Sequence, residues 1–289
     1  MTDISTASRA GLGVGQIMSE TFGLVFQNFK VMMILAGVPS ALGVAVNLGI
    51  MGRQSQNVAQ AFTDPIAFEA ANATSIWVTI ILMIFGILIW AFVTSAVTLA
   101  AYEAKSGQQP QVGPAFSVAL SKILPVSFMT ILAAIGGYIV VYVSALVLGI
   151  PLGLIGGAAG AIIAGIAALL IGLWIAARWS AMLPAIVVEG LSFDAFGRSS
   201  RLTEDYRWPI VGLLILFFIV TILISAVNVG ISYFGFQGGF IGEVLALVAG
   251  WLVSAFFYAL AGAMVALIYA RLREIKEGTD VSALAEVFS

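Results

Sequence analysis

The residues best equipped for chemistry cluster between Glu189 and Trp208, the most charged stretch of the chain: Glu189, Asp194, Arg198, Arg201, Glu204, Asp205 and Arg207. Arg198 and Arg201 lie one helical turn apart. They can bind lipid phosphates, or pair with Asp194, Glu204 or Asp205. The mixed signs favour internal pairing over a lipid-specific site. Ser192 reads as a helix N-cap with Asp194 in the first turn. Just upstream, Arg178 has apolar residues on both sides. It is a cationic flank of a membrane span, an arginine reaching for the phosphate layer, or the partner of Glu189 or Glu103. The helix carrying it either continues past it or re-enters after Pro184.

Little else in the chain is reactive. There is no Cys and no His, which removes thiolate chemistry and every His base or metal ligand from this sequence. No nucleophile–base pair, metal-ligand cluster or phosphate-cradling glycine loop stands out. The Gly-rich stretch 153–165 lacks the Lys of a phosphate loop. No cofactor is expected. A net charge of −2, from 12 basic and 14 acidic residues, gives no basic excess for nucleic acid.

The elements that carry these groups are membrane spans. Of 289 residues, 61% are hydrophobic and 9% charged, and mean hydropathy is +1.11. Soluble domains are about 25% charged. A span needs about 20 mainly apolar residues, and six runs qualify. They are Val31–Met51, Ile76–Tyr102, Ile123–Ile150, Leu152–Ala177, Pro209–Phe234 and Phe240–Ala270. None alternates with period two, so a β-barrel is excluded. Gly149, Pro151 and Gly153 mark the turn between spans three and four; Gly235, Gly238 and Gly239 mark the one between five and six. The N-terminus lacks the pattern of a cleavable signal.

The expected fold is therefore all-α: one polytopic transmembrane domain over 1–289. It has an N-terminal amphipathic segment (1–30) and a C-terminal tail (271–289). With six spans, one side collects Arg9, Lys30, Lys105, Lys122, Arg178, Arg198, Arg201, Arg207, Arg271, Arg273 and Lys276, and the other only Arg53. The positive-inside rule then puts both termini in the cytoplasm, in a cell inner (plasma) membrane.

Three segments precede the odd-numbered spans as short amphipathic helices of the kind that lie in the interface plane. In Val14–Lys30, Met18, Phe22, Val25 and Phe29 form the apolar face. Val112–Lys122 offers Phe116 and Leu120, and Ser192–Arg207 offers Phe193, Phe196 and Leu202. Interfacial helix, span, turn, span then recurs three times, although helical hairpins also resemble one another without any repeat.

Span four is rich in small residues. Gly153, Gly157, Ala161 and Gly165 make one ridge; Gly156, Gly160, Ala164, Ala168, Gly172, Ala176 and Ser180 make another. Four-residue spacing of small side chains permits close helix approach, which predicts a buried central helix against Gly136–Gly137 of span three. A dimer seam or a sliding surface in a transporter is the alternative. Trp77, Trp174, Trp179 and Trp208 fall at membrane edges; Trp90 and Trp251 fall mid-span as packing residues. Glu243 sits within reach of water, and no chain of intramembrane charges suggests an ion pump. Residues Gly52–Ser75 read as a polar outer loop, with Pro65 opening a helix and a glycosylation sequon at Asn72–Ala73–Thr74. Val281, Leu284, Ala285 and Phe288 make an apolar edge in the tail.

Certain residues resemble a known family. They are Pro184 through Glu189, Ala195, Arg198–Ser199, Leu202–Thr203 and Tyr269 through Gly278. The family is the prokaryotic six-span membrane proteins grouped with the glycerophosphoryl diester phosphodiesterase membrane domain. The resemblance implies that Glu189, Arg198, Ser199, Leu202, Thr203 and Arg271–Gly278 are the defining positions. It does not imply an enzyme. Such domains are fused to a phosphodiesterase in some members and stand alone in many, and this chain has neither room for the barrel nor its histidines. The candidate lipid or structural polar site is Arg178, Glu189, Arg198, Ser199, Arg201 and Thr203. Arg198 with Glu189 is read as fastening the cytoplasmic helix to the bundle. The expected role is a non-enzymatic accessory, lipid-contacting or scaffold component, with membrane lipids, a membrane protein partner or a second copy as partners. The alternative is a carrier of lipids or other amphiphiles, marked by a midplane cavity at Ser95, Thr130, Ser144, Thr221, Ser225 or Asn228.

Overall fold

The computed structural model describes residues 12–61 and 65–278. Arg9, the Thr63–Asp64 helix start and the apolar edge at Val281, Leu284, Ala285 and Phe288 lie outside the described residues. Among the described residues eight helices follow one another: α1 (Val14–Gln27), α2 (Phe29–Ala61), α3 (Pro65–Lys105), α4 (Val112–Trp179), α5 (Met182–Val188), α6 (Asp194–Leu202), α7 (Arg207–Gln237) and α8 (Gly239–Glu277). No strand occurs among the described residues. Among the described residues, five helical segments are long and apolar enough to cross a membrane. The protein is a multi-pass helical membrane protein.

The longest of these segments does not run straight. Within α4, Gly157 takes φ 56 and ψ −137, far from helical values. Limbs 112–156 and 158–179 therefore fold back on each other. A Cβ on Gly160 would sit 1.8 Å from the Leu152 carbonyl oxygen, one on Gly172 2.8 Å from Val141, and one on Gly136 3.4 Å from Trp179. Those pairings share one midpoint, as an antiparallel hairpin requires. The turn thus falls at Gly157, beyond the expected Gly149–Gly153, and Pro151 stays inside the first limb. Proline's missing N–H and fixed φ do not force a reversal; a left-handed backbone at glycine permits one.

The small-residue limb is also not the buried centre. Ile162, Ile163 and Leu169 are each more than half exposed, so this limb is peripheral. Only one small ridge packs: Gly160, Ala164 and Ala168 are buried. A Cβ at Gly153, Gly156, Gly157 or Gly165 would meet nothing within 4 Å. The centre belongs instead to α8, where Ala255, Ala259, Leu260, Ala263, Met264, Leu267, Ile268 and Leu272 are almost wholly buried. A Cβ on Gly262 would lie 2.7 Å from Val97 of α3, so α3 and α8 approach closely through a small side chain. Trp251 ties α8 to α2 by donating to the Gly37 carbonyl at 3.0 Å and the Ser40 hydroxyl at 3.1 Å.

The amphipathic segments differ from expectation in detail. α1 packs on α8, α7 and α3 through Ile17, Met18, Thr21, Leu24 and Val25, whereas Phe29 is exposed. The Glu20–Lys105 ion pair at 3.1 Å fastens α1 to α3. Val112–Lys122 is not a separate helix but the start of α4. Its buried residues are Ala115 and Ala119; Phe116 packs edge-on against Phe92, and Leu120 is exposed. The stretch read as an outer loop is largely helical, since α2 runs to Ala61 and α3 starts at Pro65.

Candidate functional site

After Trp179 the chain neither continues as one helix nor leaves the bundle. It turns at Ser180–Ala181 into α5, whose residues Met182 to Val187 are all buried. The left-handed Gly190 (φ 74) then releases it toward α6. Phe193, not Ser192, occupies the N-cap position of α6, and no side chain caps it. Asp194 stands in the first turn as expected.

α6 in turn caps α4. The last carbonyls of a helix have no intrahelical donor. Here the Ser199 hydroxyl donates to the Arg178 carbonyl at 2.8 Å and accepts from the Ala181 N–H at 3.2 Å. The Thr203 hydroxyl reaches the same carbonyl at 3.2 Å and its own helix at Ser199 at 2.9 Å. Ser199 and Thr203 are fully buried. Two hydroxyls from one helix therefore close the polar end of another.

On the opposite face of α6, Arg198 engages Glu189. Its Nε lies 3.1 and 3.0 Å from the two carboxylate oxygens, and its Nη2 lies 2.7 Å from one. Arg198 also pairs with Glu277 of α8 through Nη1. The fully buried Tyr269 donates its hydroxyl to Glu189. Arg273 stands 4.0 Å from Glu189, bonds Glu277 at 2.9 Å and donates to the Tyr102 hydroxyl of α3 at 3.0 Å. The knot thus joins the α5 terminus, α6, α8 and α3. Arg198 does not pair with Asp194, Glu204 or Asp205; Asp205 is held by Lys276 at 2.9 Å. Asp205 takes a left-handed φ of 71, which turns the chain into α7.

Electrostatics follow from this geometry. Desolvation pushes the Glu189 carboxyl up. The hydrogen bonds of Arg198 and Tyr269 and the charges of Arg198 and Arg273 outweigh it, so Glu189 titrates below the ordinary carboxylate value. Arg198 is raised, first by its hydrogen bond to Glu189 and then by that to Glu277.

A second group of arginines is different. Arg178 is exposed and meets neither Glu189 nor Glu103; its Nε donates to the Ser200 hydroxyl at 2.9 Å. Arg207 reaches the Ser200 carbonyl at 3.4 Å and stacks over Trp174 at 4.7 Å, with its Nε buried and unbonded. Arg201, next to Ser200 in the chain, is exposed. Arg178, Arg201 and Arg207 make no ion pair among the described residues. Trp179 packs edge-on against Phe196 at 5.3 Å, and Trp208 is exposed.

Sequence reasoning therefore located Glu189, Arg198, Ser199, Arg201, Thr203 and Arg178 but missed Tyr269, Glu277 and Tyr102 as members of the knot. For Tyr269 and Glu277 the only sequence signal was the Tyr269–Gly278 stretch that carries the resemblance, some 80 residues away, and Tyr102 had none. The structure brings Ser199 and Thr203 into the cap on the Arg178 carbonyl and Arg198 and Glu189 into the knot, and leaves the side chains of Arg178 and Arg201 outside both.

Comparison with known proteins fits this arrangement. Residues 154–284 match the family model for the membrane domain of glycerophosphoryl diester phosphodiesterase, the same family whose resemblance the residues carry. The matched segment contains the second limb of α4, both fastenings and the central α8. That family model describes a membrane domain and not a catalytic one. Comparison with curated proteins and with solved structures gave no significant match.

Proposed function

We propose that this chain is a non-enzymatic integral protein of the cell inner membrane, an accessory or scaffold component that contacts anionic lipid. The carrying observation is three arginines with no carboxylate partner among the described residues: Arg178 and Arg207, both bonded to Ser200, and the exposed Arg201 that follows it in the chain. Arg198, Arg271 and Arg273 are each answered by a carboxylate. Guanidinium groups without such partners at a membrane edge, beside Trp174, Trp179 and Trp208, suit phosphate head groups. Membrane lipids are the first partners in this reading, and a membrane protein or a second copy the next.

The reading has a topology. The two limbs of α4 each cross, giving six spans in one transmembrane domain. α1, the start of α4 and α6 form a cytoplasmic collar of three amphipathic elements, arranged as a threefold repeat of hairpins. Both termini are cytoplasmic. Because the chain has no Cys, single cysteines report on this directly. An impermeant maleimide applied to intact cells should label Gly156→Cys and Phe240→Cys but not Gln108→Cys. Labelling of Gln108→Cys, or protection of Gly156→Cys, contradicts it.

Lipid contact is tested in nanodiscs of equimolar phosphatidylcholine and phosphatidylglycerol. Lipid retained on the ejected protein should be enriched in phosphatidylglycerol. The combined Arg178→Gln, Arg201→Gln and Arg207→Gln variant should return to the bulk ratio, and Arg271→Gln should not. A bulk ratio in the unmodified protein overturns the reading.

A second reading, a carrier of amphiphiles, is favoured by one observation. A cavity of about 640 Å³ opens beside Thr221, Ser225 and Asn228, three of the residues named for it. Ser95 is not among them; it is buried and bonded to the Ala91 carbonyl at 2.6 Å.

A further inference from the structure

The α7–α8 cavity carries chemistry of its own. Thr221, Ser225, Asn228 and Ser232 fall at spacings of four, three and four, so they share one face of α7. All four line the cavity, opposite Ser254 and Tyr258 of α8. A Cβ on Gly250 would sit 3.3 Å from the Asn228 amide oxygen; glycine thus lets that amide lie across to α8. At about 1.5 Å per residue, Ser232 is about 8 Å and Thr221 about 24 Å from the end of α7 at Gln237. The polar track therefore runs from near a membrane surface to its middle.

Two of these hydroxyls are satisfied locally. Thr221 donates to the Phe217 carbonyl at 2.8 Å and Ser254 to the Gly250 carbonyl at 2.8 Å. Ser225, Asn228 and Ser232 make no hydrogen bond among the described residues. Polar groups at this depth are costly without a partner, and helices in lipid commonly satisfy them across a helix pair. Here they face a space instead. That space is within the range of small-molecule pockets, about 300–1,000 Å³. Its other walls are the apolar Ile224, Val229, Val253 and Phe257, with Tyr233 beside Ser232. A neighbouring cavity of about 380 Å³ shares Ser254 and Tyr258 on the other side of α8. No charged residue lines either one.

We infer that the α7–α8 cavity binds an uncharged amphiphile, a hydrocarbon chain carrying a hydroxyl or amide group that bonds Ser225, Asn228 and Ser232. The absence of lining charge sets it apart from the arginine group, which takes phosphate. The inference rests on the cavity and not on transport, so failure of a transport assay leaves it standing. Loss of phosphatidylglycerol retention in the arginine variants leaves it standing too.

The test uses a photoreactive, alkyne-tagged long-chain alcohol and the same chain ending in phosphate, each added to the full chain in phosphatidylcholine nanodiscs. After irradiation, tagged peptides are mapped. The alcohol should label residues 221–233 and 253–258 in preference to the exposed limb 158–176 of α4. It should do so at least fivefold more than the phosphate probe. Asn228→Leu should lower labelling at the cavity at least fivefold, and Ser225→Leu, an exposed position on the same face, should do likewise. Unchanged thermal stability shows each variant folded. Equal labelling by both probes, labelling spread evenly over lipid-facing helices, or full labelling in both folded variants overturns the proposal.

Discussion

The Ser199 hydroxyl donates to the Arg178 carbonyl at 2.8 Å across two helices that meet nowhere else by side-chain hydrogen bonds to backbone except through Thr203. That bond lets α4 end abruptly inside the bundle. Ser199→Ala leaves the buried Ala181 N–H without its partner and the Arg178 carbonyl with only the longer Thr203 bond, a loss of about 1–3 kcal/mol. Thr203→Ala should cost less, because Ser199 still serves the same carbonyl, and the double variant more than either. Thermal unfolding in detergent reads all three. Equal stability of Ser199→Ala and the unmodified protein contradicts the capping role.

Arg198 sits between two carboxylates on different helices. Its side chain is about one-fifth exposed, so the pair is worth more than a surface bridge but is still screened. A double-mutant cycle of Arg198→Gln with Glu189→Gln should give a coupling energy of about 1–2 kcal/mol. Arg198→Lys should not restore it, since an ammonium cannot engage both carboxylates as a planar fork does. Zero coupling removes the knot from the account.

Acid should loosen the same knot. Glu189 titrates lower in the folded chain than in the unfolded one, so the folded state binds fewer protons between the two values. Its contribution is fully present above the ordinary carboxylate range and is lost as pH falls from there through the folded value. Melting temperature followed from neutral to acid pH should fall in the unmodified protein. The fall should be shallower in Glu189→Gln, which carries no titrating group there. Identical slopes contradict the assignment.

Glycines in the α4 hairpin should separate cleanly. A Cβ at Gly160 strikes backbone, the Leu152 carbonyl at 1.8 Å, and no rotamer change relieves that. Gly160→Ala should forfeit at least the about 1–3 kcal/mol typical of overpacking and lower the yield of folded protein. Gly165→Ala meets nothing within 4 Å and should be neutral or stabilising by up to about 1 kcal/mol. Size-exclusion profiles and melting curves distinguish them, and equal behaviour contradicts the hairpin.

Much of this architecture is legible in the chain because lipid imposes a simple rule. Continuous apolar runs must be helices, and 61% hydrophobic content leaves few ways to arrange them. The reversal at Gly157 was not legible, since Gly149, Gly153, Gly156 and Gly160 all stand close by and the choice depends on which limb contacts form. Composition also misled about the small-residue limb. Small side chains permit close approach, but exposed Ile162, Ile163 and Leu169 face outward on the same limb. Charges nearby in sequence, Glu189 and Arg198, could be paired on paper. Tyr269 and Glu277 could not, because their meeting depends on where α8 ends relative to α5.

The central claim, an accessory membrane component that contacts anionic lipid, is tested most directly by native mass spectrometry of the protein extracted gently from its own membrane. The account predicts a chain that leaves the membrane with anionic phospholipid bound, together with a stoichiometric membrane protein or a second copy. The lipid should be lost in the Arg178→Gln and Arg201→Gln variants. A bare monomer, with neither lipid nor partner, contradicts it.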